Sequence, residues 1–328
     1  MKTALIIDGN YLLNKDVFVL YNLKTLHSDL LNLLKLDLDK LLKLFNFDKV
    51  YFVSDSKRGY WRKQFYVDYK AKREANDNID WKWVYDEFNT FKEELNNNPK
   101  IEQINIDYAE GDDIIAYLIN KNNKVGYSNL VIASDGDLHQ LLKFDINEDF
   151  FNFMYNYKFS DERLYLPKNY NVFLYEKKRN ANNLLFDMNQ DDEYIEFIED
   201  LINRTKVTEV SPEETLFIKF VHGDKGDNIT SAYEKIGKTG KTMGIGLDGA
   251  KTIYRLYKET YNNEEINFDS DDFIDKCAEL ITLSKKIENV DALDDIKKRL
   301  KRNRKLTKLT ENYLPEYLLN EFNNIIIK

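Results

Sequence analysis

Thr3-Ala4-Leu5-Ile6-Ile7-Asp8 is an apolar run that ends on a carboxylate and is followed at once by Gly9 and Asn10. The pattern returns at Val50-Tyr51-Phe52-Val53-Ser54-Asp55 and at Leu130-Val131-Ile132-Ala133-Ser134-Asp135. Short runs that are apolar at successive positions, rather than at alternate ones, mark strands buried on both faces of a parallel sheet. Between the first two runs, Leu23, Leu26, Leu30, Leu34, Leu38 and Leu42 recur at three- and four-residue intervals, the period of a helix. Gln103–Asp107 is a further predicted strand, ahead of a helix expected to start near Gly111. Strands alternating with helices imply an α/β fold with a doubly wound, mainly parallel sheet. Ligands of such sheets bind beyond the carboxyl ends of the strands, which puts Asp8, Asp55 and Asp135 on one rim.

Further along, Phe150, Phe151 and Phe153 read as strand, Asn180–Asp192 reads as loop, and everything from Pro212 onward reads as helical without strands. The expected organisation is an α/β core over 1–205 and a helical C-terminal domain over 206–328. A chain of 328 residues is long enough for two such cores. The start of the chain lacks the apolar stretch of a signal peptide, and no apolar span is long enough to cross a bilayer. The one cysteine, Cys277, cannot form an internal disulfide. These features point to a soluble protein of a reducing, cytoplasmic compartment.

A formal net charge of −9 argues at first against a nucleic-acid partner. The distribution says otherwise, because basic residues crowd Lys57–Arg73 and Lys297–Lys308 while carboxylates gather in tight groups elsewhere. Those groups are Asp8; Asp55; Glu110, Asp112 and Asp113 in Glu-Gly-Asp-Asp; Asp135 and Asp137 in Ser-Asp-Gly-Asp; and Asp224 and Asp227 in Gly-Asp-Lys-Gly-Asp-Asn. Taken singly, each has a plain structural reading, as first-turn helix charges or as a turn with a helix cap. Converging on one rim, they would repel one another and raise their pKa values unless cations were bound. Hard divalent ions with oxygen ligands fit such a set, so magnesium is implied, two ions at the site, with manganese as a substitute. Two ions suit phosphodiester hydrolysis, and no histidine base is needed. His27, His139 and His222 lie in no ligand-like spacing and read as structural.

The order Ile-Asp-Gly-Asn, Val-Ser-Asp, Glu-Gly-Asp-Asp, Ser-Asp-Gly-Asp and Gly-Asp-Lys-Gly-Asp-Asn resembles the flap endonuclease and 5′→3′ exonuclease family, from Asp8 to about Tyr254. Gly59-Tyr60-Trp61-Arg62, followed by Tyr69-Lys70 and Arg73, resembles its T-even-phage ribonuclease H branch. The resemblance implies a PIN-like nuclease core and a metal-dependent 5′ nuclease, cutting flaps or trimming 5′ ends of DNA and RNA·DNA duplex during phage replication in the host cytoplasm. It implies that Asp8, Asp55, Glu110, Asp112, Asp135 and Asp137 hold metal, with Asp113 assisting and Asp224 and Asp227 on the side of the second ion. Ser56–Asn78 corresponds to the family's helical arch, where Lys70 and Arg62 meet the scissile phosphate and Tyr69 and Arg73 contact the strand. Tyr60, Trp61, Phe65 and Tyr66 add aromatic faces of the kind that stack on bases. Gly244, Gly246 and Lys251 match a helix-turn-helix-like element that contacts duplex phosphates, although Thr230–Met243 is inserted before it. That insertion, with Lys235, Lys238 and Lys241, reads as a flexible surface loop touching the duplex. Family analogy also suggests a sliding clamp and a single-strand-binding protein as partners.

Three other readings stand beside this one. Gly237-Lys-Thr-Gly240-Lys-Thr invites a nucleotide-binding loop, but Lys235 occupies the position where the first glycine belongs. A simpler PIN-type ribonuclease would explain the strand-end aspartates but not the arch-like segment. A catalytically inactive nucleic-acid-binding protein would be marked by a lost ligand carboxylate, and none is missing.

Overall fold

A computed structural model of the chain describes residues 1–73, 76–145, 150–158, 161–170, 193–237, 239–287 and 289–325. The expected loop over 180–192 lies outside them. The chain divides into two compact units, one formed by 1–60, 75–210 and 310–328, the other by 61–74 and 211–309. These are not the continuous halves 1–205 and 206–328. Residues 206–210 pair into the sheet, 61–74 belongs with the helical unit, and the C-terminus returns to the sheet unit, where Tyr117 and Phe322 pack with ring centroids 4.9 Å apart.

The first unit is built on β1 (Lys2–Asp8), β2 (Lys49–Val53), β3 (Ile101–Ile104), β4 (Tyr127–Ile132), β5 (Lys143–Asp145), β6 (Phe150–Asn156), β7 (Arg163–Pro167) and β8 (Lys206–Val210). The sheet order is β3-β2-β1-β4-β6-β7-β8, with β5 pairing β6. From β3 across to β6 the pairings are parallel, β5 and β7 lie antiparallel to β6, and β8 is parallel to β7. Leu5, Ile7, Phe52, Leu130 and Ile132 join a core with Leu12 and Val17 of α1 (Gly9–Leu23), Leu30 and Leu34 of α2 (Leu26–Leu42), and Phe88 and Phe91 of α4 (Trp81–Leu95). The alternate residues Ala4, Ile6 and Val131 are buried as well, and α5 (Gly111–Lys124) packs on β1 and β4. Burial of both faces is why these strands are apolar throughout. Gly9 has no room for a side chain, since a Cβ would lie 2.4 Å from the Phe52 ring. The first turn of α1 can therefore approach β2 directly behind Asp8.

The second unit holds α3 (Trp61–Phe65), α7 (Pro212–His222), α8 (Leu247–Thr260), α9 (Asp271–Lys285) and α10 (Val290–Thr307), while α6 (Glu193–Arg204) and α11 (Glu316–Asn323) belong to the first. Phe217, Phe220, Ile253, Phe273, Ile281 and Leu300 form the helical core, and Cys277 is buried within it. Two expectations are corrected here. The unit is not free of strands, because β9 (Glu234–Ile236) and β10 (Thr242–Gly244) pair antiparallel. The arch segment is helical only over α3; among its described residues the rest runs as turns and irregular chain.

Candidate metal centre

Strand order β2-β1-β4 sets the carboxyl ends carrying Asp55, Asp8 and Asp135 on three neighbouring strands. Each aspartate also meets a helix start. Asp8 caps α1 by accepting from the Tyr11 amide at 3.0 Å, and Asp135 accepts from the Asp137 amide at 2.9 Å at the head of the 3-10 helix Gly136–Leu141. Asp55 reaches sideways, its Oδ1 accepting from the Gly111 amide at 2.7 Å at the start of α5, and its Oδ2 from Asn10 Nδ2 at 3.3 Å. Helix starts carry partial positive charge, which suits the three carboxylates. Glu110 and Asp113 form the capping box of α5 and both are buried, with Asp112 half-buried between them. Asp137 lies half-buried in the first turn of the 3-10 helix.

Desolvation, helped by the charges of Asp55 and Asp135 and opposed by the amides of Tyr11 and Asn10, pushes Asp8 up from the ordinary aspartate value to about 7. A half-buried, desolvated carboxylate near two others is costly to ionise, and a cation relieves that cost. Among the described residues, no three His, Cys, Asp or Glu side chains are gathered closely enough to hold a metal ion. The strand-end oxygens of Asp8, Asp55 and Asp135 accept from local amides. The donor set is all carboxylate, the chemistry of a hard divalent ion rather than of a soft one. A cleft of about 1210 Å³ runs along Lys49–Tyr51 and Ile101–Ile106 and contains none of these carboxylates. Two residues with no role expected of them support the rim: Asn10 accepts from the Asp55 amide at 3.0 Å, and Asn105 donates to the Asp55 carbonyl at 2.6 Å. Asn10 stands inside the Ile-Asp-Gly-Asn motif, so its position was legible even though its role was not.

In the helical unit Asp224 and Asp227 have partners of their own. Asp224 is paired with Lys219, which holds it below the ordinary value in spite of desolvation. Buried Asp227 accepts from the Tyr69 hydroxyl at 2.9 Å and from Arg73 at 2.7 Å, and its carbonyl accepts from the Lys70 amide at 2.8 Å. These bonds clamp residues 68–73 to the 224–228 turn, and Lys70 adopts a left-handed backbone there (φ 55°). Tyr69 and Trp61 are buried, so neither offers a face to a nucleic-acid strand. Arg62 is 2% exposed and donates to the Leu306 carbonyl at 2.8 Å, its guanidinium 4.7 Å from the Trp61 ring. The expectation that Arg62 meets a phosphate is replaced by an anchoring role inside the unit. Gly244 ends β10 against Ser231, where a Cβ would lie 2.7 Å from its neighbour, while Gly246 caps α8 and half-buried Lys251 follows in that helix. Helices α7 and α8 are joined through the β9–β10 hairpin, not by a short turn. The same hairpin carries Gly237 to Thr242, so this stretch does not lead from a strand into a helix as a nucleotide-binding loop does.

A mainly parallel sheet with acidic groups along the carboxyl ends of its strands defines a resolvase-like, PIN-like α/β domain. Residues 3–164 match the model of the 5′-3′ exonuclease N-terminal resolvase-like domain and belong to the flap endonuclease and 5′→3′ exonuclease family. The ribonuclease H of Enterobacteria phage T4 is 32% identical over 126 residues, a match spanning 38% of this chain and 41% of that protein. The fold is shared with the T5 5′-exonuclease bearing divalent zinc ions (TM-score 0.59, 16% identity, covering 98% of this chain and 97% of the other). It is shared equally with the bacteriophage T5 flap endonuclease in a pseudo-enzyme–product complex with DNA and metal ions (TM-score 0.59, 16% identity, covering 98% and 96%). No described helix is long and apolar enough to cross a membrane.

Proposed function

We propose that the protein is a divalent-metal-dependent, structure-specific 5′ nuclease, a 5′→3′ exonuclease and flap endonuclease with ribonuclease H activity on RNA·DNA, removing primers or flaps during phage DNA replication. The observation that carries this reading is the side-by-side placement of Asp8, Asp55 and Asp135 at the ends of β1, β2 and β4, within the family-matched domain. Asp8, Asp55, Glu110, Asp112, Asp135 and Asp137 would hold magnesium, with manganese as a substitute, and Asp113 fixes Glu110 through the capping box. Bound ions would lower the pKa of an attacking water and offset charge on the scissile phosphate and leaving oxygen. The chain's part is positional. The amides of Tyr11, Gly111 and Asp137 orient the three strand-end carboxylates, and Asn10 and Asn105 hold the backbone of Asp55. Lys70 would supply positive charge to the reacting phosphate, fixed by its backbone bond to Asp227. Arg73 and Lys251, with the backbone at Gly244 and Gly246, would contact the nucleic acid, and Asp224 and Asp227 would serve a second ion only by giving up the partners described above. A sliding clamp and a single-strand-binding protein belong to the same proposal, as does a setting in the host cytoplasm.

End-labelled flap, nicked and RNA·DNA substrates, incubated with magnesium or with EDTA, test the reading. Short products from the 5′ end bearing 5′-phosphate and 3′-hydroxyl termini, and lost in EDTA, are expected. Cleavage of single-stranded RNA alone would favour a PIN-type ribonuclease, and metal-independent binding without products would favour an inactive binding protein.

A further inference from the structure

The β9–β10 hairpin is stiff at its base and bare at its tip. At the base, Ser231 Oγ donates to the Val221 carbonyl at 3.0 Å and accepts from the Ile245 amide at 2.9 Å. Three side chains of α10 grip the same place: Arg299 bonds Glu234 at 2.8 Å, Arg302 bonds Thr230 Oγ1 at 2.7 Å, and Asn303 bonds the Thr230 carbonyl at 2.9 Å. Ala232 and Ile245, which flank the two strands, are buried. Beyond that base the ribbon leaves the core. Ile236 is 79% exposed and Met243 53%, while Lys235, Lys241 and Thr242 are exposed too. The end is closed by Gly237 N to Lys241 O at 2.8 Å and Gly240 N to Gly237 O at 2.9 Å, so the projection is a hydrogen-bonded ribbon and not a slack loop.

The register sorts its chemistry. Lys235 stands opposite Met243 and Ile236 opposite Thr242, so each face of the ribbon carries one large apolar side chain. From Lys235 to Gly246 the chain has lysine at three positions and no carboxylate, although the protein as a whole carries −9. The acid at the base, Glu234, is paired with Arg299. A protruding, purely cationic ribbon in an acidic protein is complementary to a polyanion. A two-stranded antiparallel ribbon matches the width of the B-form major groove, where apolar side chains can meet thymine methyl groups. A-form RNA has a deep, narrow major groove that such an element cannot enter.

We propose that the β9–β10 hairpin is a B-form duplex reader, seating in the major groove by the face that carries Lys235, Lys241 and Met243, with the two lysines on phosphates and Met243 against base edges. The proposal rests on the nuclease reading above and adds to it a preference for DNA over RNA in the duplex portion of the substrate.

The test is anisotropy binding of the full chain, with calcium in place of magnesium, to a DNA duplex and to an RNA duplex of the same sequence, across a salt series. On DNA, the double variant Lys235→Ala/Lys241→Ala should flatten the slope of log Kd against log salt by about two units, roughly 0.9 for each phosphate no longer neutralised. On RNA duplex it should bind as wild type does. A second variant, Met243→Ser, should weaken DNA binding several-fold and leave the slope unchanged, whereas Ile236→Ser on the other face should bind as wild type does. Unfolding midpoints equal to wild type would show that the fold is kept. An unchanged slope on DNA, or an equal loss on RNA duplex, overturns the proposal. Cleavage of 5′ ends by the wild type, measured in parallel with magnesium, separates the two ideas: cleavage with an unchanged slope sinks only the hairpin, whereas a flattened slope without any cleavage sinks only the nuclease.

Discussion

The two acidic regions of the molecule treat their carboxylates in opposite ways. In the 224–228 turn, Asp224 lies against Lys219 and Asp227 against Tyr69 and Arg73, and Asp224 is held below the ordinary value. On the sheet rim, desolvation and the charges of Asp55 and Asp135 outweigh two backbone amides at Asp8, and it is driven up to about 7. Where the chain uses acids to hold itself together it supplies the counter-charge. At the strand ends Asp8, Asp55 and Asp135 lean on backbone amides, and desolvation makes Asp8 costly to ionise. The raised Asp8, more than the number of aspartates, marks the rim as the candidate metal site.

The contrast breaks most decisively through catalysis. Asp135→Asn or Asp137→Asn should abolish magnesium-dependent cleavage, by roughly a thousandfold or more if the lost cation contributes about 4 kcal/mol to the transition state. Full turnover in either variant at ordinary magnesium would remove the rim from the chemistry. Lys70→Ala comes next. A preorganised charge at a reacting phosphate contributes roughly 3 kcal/mol, so single-turnover cleavage should slow by about a hundredfold while duplex affinity stays near wild type. If the rate held and affinity collapsed instead, Lys70 would be an anchor for the strand.

What the sequence disclosed follows the same division. The strands β1, β2 and β4 are apolar because both faces are covered, so their ends, and with them Asp8, Asp55 and Asp135, could be located from pattern alone. β8 reads Lys-Val-Thr-Glu-Val, is half-buried or exposed except at Val210, and lies at the edge of the sheet, so no continuous apolar run announced it. The β9–β10 ribbon is too short and too exposed for periodicity to register. Arg62 and Tyr69 depart from expectation for another reason. Their polar ends are satisfied inside the unit by the Leu306 carbonyl and by Asp227, partners distant in sequence, and an arginine with a satisfied guanidinium can be buried among aromatics.

Stability should respond at the clamp of the helical unit. Asp227→Ala removes the acceptor shared by the buried Tyr69 hydroxyl and Arg73, which should cost about 3 kcal/mol and show as a lower urea midpoint. An unchanged midpoint would mean that the 68–73 segment is not clamped by that carboxylate.

The smallest and most discriminating effect is one of sign. Asp8 has its folded pKa raised above the ordinary 3.8 to about 7, so the stability tied to its neutral form is present below about pH 4 and is lost as pH rises to 7. Asp8→Asn keeps an oxygen for the Tyr11 amide and removes the ionisable group. In EDTA it should therefore stabilise the protein by about 2 kcal/mol at pH 8, a gain that shrinks towards zero near pH 4. Asp224 runs the other way. Its folded pKa is depressed, so its contribution is present above the ordinary value and lost as pH falls, and Asp224→Asn should destabilise by about 1 kcal/mol at neutral pH and be neutral in acid. Magnesium gives the final distinction, because an ion that binds only the folded rim stabilises wild type by mass action and should narrow or reverse the advantage of Asp8→Asn, while an Asp224→Asn difference that magnesium leaves unmoved shows Asp224 keeping Lys219 rather than serving a second ion. Thermal unfolding of the two variants at pH 4 and 8, with EDTA and with magnesium, reads all of these signs. A stabilising Asp224→Asn, or an Asp8→Asn that destabilises in EDTA at pH 8, would erase the difference between the two regions.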